Sequence, residues 1–146
     1  MLRTLAILIL ILLASTALAQ NKTVDQLKAE AEKANDGQQA KLYAEVAERL
    51  VDVADQQFTN GNAIAGHATI QEILQYATKS RDRAISTRKK MKEAEIILRN
   101  TQRLLENLKR TLAAEDRPAL EDVEKKLAQF RQDILDAMFA PKKENK

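Results

Sequence analysis

Apolar residues recur at helical spacing along most of the chain. After Thr59-Asn60-Gly61-Asn62, a turn signal, one lane can be followed by sevens: Ala63, Ile70, Ala77, Ala84, Met91, Leu98, Leu105 and Leu112. A companion lane, offset by three, holds Gly66, Ile73, Ser80, Thr87, Ala94, Thr101 and Leu108. A seven-residue repeat kept in phase this long holds one seam of a helix toward a partner. No proline interrupts it before Pro118, and no glycine follows Gly66. The pattern predicts one long helix over 63–114, about 78 Å at the α-helical rise. Its seam is weakest where Ala77, Ser80, Ala84 and Thr87 replace large residues. A kink or break near Thr78–Arg83 is the alternative, and the parts would then close into an ordinary four-helix bundle.

The flanking segments are helical too. Leu42, Tyr43, Val46, Ala47, Leu50, Val51, Val53, Ala54 and Phe58 predict a helix from about Gln38 to Phe58, with an apolar face wide enough for two neighbours. Thr23-Val24-Asp25-Gln26 has the form of a capping box opening a short helix to about Ala34, and Asn35-Asp36-Gly37 ends it. Glu115-Asp116-Arg117-Pro118 reads as a short connection, with Pro118 suited to a first helical turn. Leu120, Val123, Leu127, Phe130, Ile134 and Ala137 then give a last helix ending near Phe139, before Pro141.

The expected fold is therefore all-α: an elongated helical bundle or antiparallel coiled-coil hairpin built on one long central helix. Residues 38–58 fold back along 63–83, and 118–139 along 93–114. Residues 84–92 are left without a partner, to be covered by 24–34 or by another molecule.

Residues 1–19 stand apart. Arg3, the apolar run Leu5–Leu13 and the small-residue site Ala17-Leu18-Ala19 have the form of a cleaved secretory signal peptide. The run is shorter than the roughly 20 apolar residues of a spanning helix. The mature chain is expected to start at Gln20 and to be exported, to a periplasm or out of the cell, with no transmembrane segment; retention of the segment as an anchor is the alternative. Residues 20–140 are expected to form a single all-helical domain, and 141–146 a disordered polar tail.

Composition narrows the chemistry. With 3 Gly and 2 Pro in 146 residues, the chain lacks the turns of an all-β protein. It has no Cys and one His, which excludes disulfides, thiolate metal sites and multi-histidine sites. His67 lies on or beside the seam and reads as a polar core-edge residue. Met91, Met138, Tyr43 and Tyr76 fall at packing positions, and the acidic Glu121, Asp122 and Glu124 complement a helix N-terminus. No phosphate loop, nucleophile elbow or metalloprotease motif is present. No catalytic, cofactor-binding or metal-binding residue is expected, and the chain does not read as an enzyme. The hairpin about Gly61 resembles a tetratricopeptide unit at Leu50, Val53, Ala54, Gly66, Ile70 and Ile73. Gln57 and Thr78 depart from that unit's aromatic and proline positions, so no family is assigned.

Charge is the main functional signal. Residues 20–78 carry net −4, residues 79–110 net +7 and residues 111–146 net −1. The basic stretch predicts a positive band on a helix face, with Arg81, Arg83, Arg88, Lys89, Lys90 and Lys92 as the partner-binding set. One reading of the band is a solvated face paired with Glu45, Glu48, Asp52 and Asp55. The functional reading is a macromolecular partner of anionic character: an envelope protein, lipid head groups at a membrane surface, or a cell-wall polymer. Nucleic acid is disfavoured, because no aromatic residue lies between Tyr76 and Phe130 to stack on bases. The expected function is thus an exported, non-enzymatic binding protein. The alternative is a structural protein that self-associates through the long seam with a second copy of itself.

Overall fold

Residues 22–141 are described by the computed structural model. The signal peptide expected at 1–19, and the polar tail beyond Pro141, lie outside the described residues. The described chain forms five α-helices: α1 Val24–Lys33, α2 Asp36–Thr59, α3 Ala63–Thr87, α4 Met91–Thr111 and α5 Arg117–Phe139, with a 3₁₀ turn at Ala114–Asp116. No strand occurs among the described residues. Local chemistry sets most boundaries. The Gln26 amide donates to Thr23 Oγ1 (3.1 Å) and the Thr23 amide to Gln26 Oε1 (3.0 Å), the reciprocal capping box that opens α1. Gly61, at φ +76°, turns the chain between α2 and α3. Asn62 Oδ1 then caps α3 by accepting from the Ala65 amide at 3.1 Å. Pro118 sits in the first turn of α5, where its missing N–H leaves no helical bond unmade.

The helix expected over 63–114 is two helices. The chain reverses over Arg88-Lys89-Lys90, beyond the 78–83 window considered for a break. Thr87 closes α3: its hydroxyl donates to the Arg83 carbonyl (2.6 Å) and accepts from the Lys89 amide (3.2 Å). Both lanes nevertheless stay in the core on each side of the reversal. Ile70, Ala77 and Ala84 are buried before it, and Met91, Leu98 and Leu105 after it. The phase of the pattern survives the turn, so spacing alone carried no sign of it.

Folding α4 back replaces the elongated hairpin with a four-helix bundle. α2 pairs with α3 and α4 with α5, each antiparallel, while α2 also packs on α4 and α3 on α5. The second set of pairs runs parallel: Glu48 of α2 meets Asn100 of α4. Likewise Arg81 of α3 meets Asp133 of α5. Consecutive α3 and α4 lie across the diagonal. α1 lies over α2 and α3 as a brace, burying Leu27 and Ala31. It ties to α3 through Lys28–Glu72 and Glu32–Lys79, so it covers residues 72–79 rather than 84–92.

The tightest pairing is between α2 and α3. Ala40, Ala44, Ala47 and Ala54 of α2 meet Gly66, Ala77, Ser80 and Ala84 of α3, all buried. Small side chains let the two backbones approach until Ser80 Oγ donates to the Ala40 carbonyl at 2.6 Å. The remaining core is aliphatic: Ile70, Ile73, Leu98, Leu105, Leu120, Leu127 and Ile134 are fully buried. Each contributes roughly 1.5–3 kcal/mol.

Gly66 makes room for the Phe58 ring. A Cβ there would lie 2.7 Å from Phe58 Cε2 and Cζ. Alanine is worth about 1 kcal/mol over glycine inside a helix, but the overlap would push the Phe58 ring off its edge contact with His67. Gly66→Ala is therefore expected to destabilise the protein by about 1–2 kcal/mol. With Phe58→Ala in place the same substitution should become stabilising, as urea unfolding of the four proteins of this double-mutant cycle would measure.

Candidate functional site: a cationic end of the bundle

The reversal at 88–90 places the six expected residues at one end of the bundle instead of along a helix face. That end holds the C-termini of α3 and α5 and the N-termini of α2 and α4. Arg81 and Arg83 belong to the last turns of α3, Arg88, Lys89 and Lys90 form the reversal, and Lys92 opens α4.

These residues divide into two groups. Arg81, Arg83 and Lys90 are engaged by the protein. The Arg81 guanidinium lies 4.4 Å from the Phe130 ring centre and pairs with Asp82 (2.8 Å) and Asp133 (3.5 Å). Arg83 reaches Asp36 at 3.5 Å, and Lys90 reaches Glu93 at 3.7 Å. Arg88, Lys89 and Lys92 are exposed, and none forms an ion pair among the described residues. Arg88 Nη2 donates to the Ala140 carbonyl at 3.5 Å, a cation at the partial negative charge of the α5 C-terminus. The Lys89 stem runs over Gly37, whose Cβ would come within 2.9 Å of Lys89 Cδ. The carboxylates met are thus Asp36, Asp82, Glu93 and Asp133, not the expected α2 set. Glu45 pairs with Lys41 within α2, and Glu48 with Asn100.

The backbone of the reversal is unusual. Arg88 (φ 55°) and Lys90 (φ 56°) both adopt the left-handed helical conformation. For a residue with a Cβ this costs roughly 1–2 kcal/mol, and glycine avoids it. The chain thus holds two long cationic side chains at positions where glycine would fold more cheaply.

Two features escaped the sequence reading. Phe139 closes α5 and is 82% exposed, next to Ala140, whose carbonyl Arg88 reaches. Its signal was its position off the stripe that ends at Ala137. Glu95 is 3% exposed, between α4 and α5. Arg131 Nε donates to Glu95 Oε1 at 3.1 Å, Arg99 binds it from one turn away, and Arg131 Nη1 donates to Gln102 Oε1 at 2.9 Å. Glu95 lies one position beyond Ala94 and outside both lanes, so the spacing gave no sign of its burial.

A second polar cluster docks α1. Lys79 Nζ donates to Glu32 Oε1 at 2.7 Å and lies 5.2 Å and 5.0 Å from the Tyr43 and Tyr76 ring centres. Tyr43 donates to Glu32 Oε2 at 3.1 Å. The hydrogen bonds from Lys79 and Tyr43 hold the Glu32 carboxyl below its usual range. At the opposite end of the bundle, His67 Nε2 and Asp116 Oδ1 meet at 2.7 Å and link α3 to the turn before α5. Among the described residues no helix is long and apolar enough to cross a membrane. Nor is any group of three acidic or histidine side chains disposed to hold a metal ion.

Burial pushes the Glu95 carboxyl up, but the bonds from Arg99 and Arg131 outweigh it and hold the group below its ordinary 4.5. Glu95 therefore binds a proton less readily folded than unfolded. Its stabilisation is complete above about pH 4.5 and is lost as pH falls through the lower folded value. Glu95→Gln should cost about 2 kcal/mol near neutrality, because two guanidiniums lose their anion. Urea unfolding across pH should show the gap between wild type and variant closing below about pH 4.5. Comparison with protein-family models, with curated proteins and with solved structures found no match, so the functional reading rests on the chemistry of this chain.

Proposed function

We propose that the chain is an exported, non-enzymatic helical protein that binds an anionic macromolecule of the cell envelope through the end of the bundle at 88–90. The observation that supports this reading is the gathering of Arg88, Lys89 and Lys92 at one end of the bundle, exposed and without carboxylate partners among the described residues. A solvated structural face tends to answer its cations with nearby carboxylates, as Arg81, Arg83 and Lys90 are answered. Three uncompensated cations in one place make a local positive field that attracts and orients a partner of opposite sign. Arg81 and Arg83 belong to the same surface but act through structure, holding α3 to α5 and to the start of α2. The seam on which self-association would rely is buried within one chain, at Ile70, Ala77, Ala84, Leu98 and Leu105.

The test is co-sedimentation of the purified protein with envelope fragments over a salt series. Wild type should be captured at low salt and released as salt screens the contact. Arg88→Gln, Lys89→Gln and Lys92→Gln together should weaken capture about tenfold, ~1.4 kcal/mol. Equal capture by the triple variant, or capture indifferent to salt, would remove the proposal.

A further inference from the structure

We infer that the anionic surface met by this end is a lipid bilayer, with Arg88, Lys89 and Lys92 on headgroup phosphates and Phe139 inserted at the headgroup boundary. The inference rests on the binding reading above and narrows it to one partner. Phe139 is 82% exposed at the last position of α5. Arg88 bonds to the carbonyl of the next residue, so ring and guanidinium share one surface. Ile85, 36% exposed, lies one helical turn from Arg81 on α3, and Arg81 stacks on Phe130 of α5. Ile85 adds exposed apolar surface in the last turn of α3, which leads into the cations of the reversal.

A hydrophilic polyanion offers nothing to a bare aromatic ring. The boundary between headgroups and acyl chains offers both halves of the contact: apolar surface for the ring, and phosphate for the long cationic side chains that reach back to it. Among the described residues, the carboxylates of this end include Asp36, Asp82, Glu93 and Asp133, each paired with a cation, and Asp136, which accepts from Gln132 at 2.7 Å.

The left-handed backbone at Arg88 and Lys90 gives the inference its sharpest consequence. Glycine at both positions relieves the backbone and removes Arg88, one of the three cations assigned to headgroups, together with the Lys90–Glu93 pair. The protein would become more stable and a poorer membrane binder at once.

Full-length mature protein is mixed with vesicles of phosphatidylglycerol and phosphatidylcholine, with vesicles of phosphatidylcholine alone, and with soluble poly(glycerol phosphate). Wild type should partition onto the phosphatidylglycerol vesicles and not onto pure phosphatidylcholine. Phe139→Ser should lower that partitioning about tenfold and leave polymer binding unchanged. The chain has no tryptophan, so Phe139→Trp supplies a single fluorophore whose emission should shift to the blue on phosphatidylglycerol vesicles and stay fixed with polymer. Arg88→Gly with Lys90→Gly should raise the urea midpoint and weaken vesicle partitioning at least threefold. Binding to polymer but not to vesicles, or a Phe139→Ser variant that partitions like wild type, overturns the lipid assignment and leaves the anionic-partner reading standing. Binding to neither probe, with no capture by envelope fragments, overturns both. A glycine variant that loses stability overturns the role given to the reversal.

Discussion

The close approach of α2 and α3 is the contact on which the rest of the structure depends. Alanine buries little surface, so a helix pair built on alanine holds only if the backbones come close enough for the whole helix surface to touch. The Ser80 hydroxyl on the Ala40 carbonyl, 2.6 Å away, records how near they come. This pairing leaves the larger side chains of the same helices, Val46, Leu50, Ile70 and Ile73, at the core shared with α4 and α5. It also fixes the groove that receives α1, where Gln39 Nε2 donates to the Ala31 carbonyl at 3.1 Å.

The reversal at 88–90 follows from the same economy of surface. A helix continued straight past Thr87 would have carried Met91, Leu98 and Leu105 away from α2 and left α2's second apolar edge in water. Turning back buries both. The turn sets two side chains in left-handed backbone, and it also brings residues 79–92 together with the C-terminus of α5 and the start of α2. A linear charge bias becomes a localised patch because of that reversal. Some of the cations are consumed in holding the end together, by Asp36 at the start of α2 and Asp133 on α5. What projects outward is the subset that tertiary structure leaves unanswered.

Glu95 shows the opposite use of charge. A buried carboxylate is expensive unless its partners satisfy it, and here arginines from its own helix and from α5 do so. Arg131 on α5 reaches both Glu95 and Gln102 of α4, so the arrangement joins the two helices at a defined register. The Glu32–Lys79 pair that ties down α1 is more exposed and correspondingly weaker, a tether and not a core.

Much of this was legible without coordinates. The capping box at Thr23, the turn at Gly61, the start at Pro118 and the end at Phe139 are local events, written in residues adjacent along the chain. Both seven-residue lanes were read as buried, and nearly every position in them is, because helical periodicity reports which face of a helix leaves water. It does not report what that face meets. A three-residue reversal preserved the count from Ala84 to Met91, so the pattern was the same for one long helix and for two packed in a bundle. The burial of Glu95, the pairing of Arg83 with Asp36, and the exposure of Phe139 beside Arg88 each join residues far apart in the chain. The amino-acid order determined the helices and where positive charge is concentrated; only the packing of one helix against another decided which charges are neutralised and which face outward, since that depends on neighbours brought together by folding.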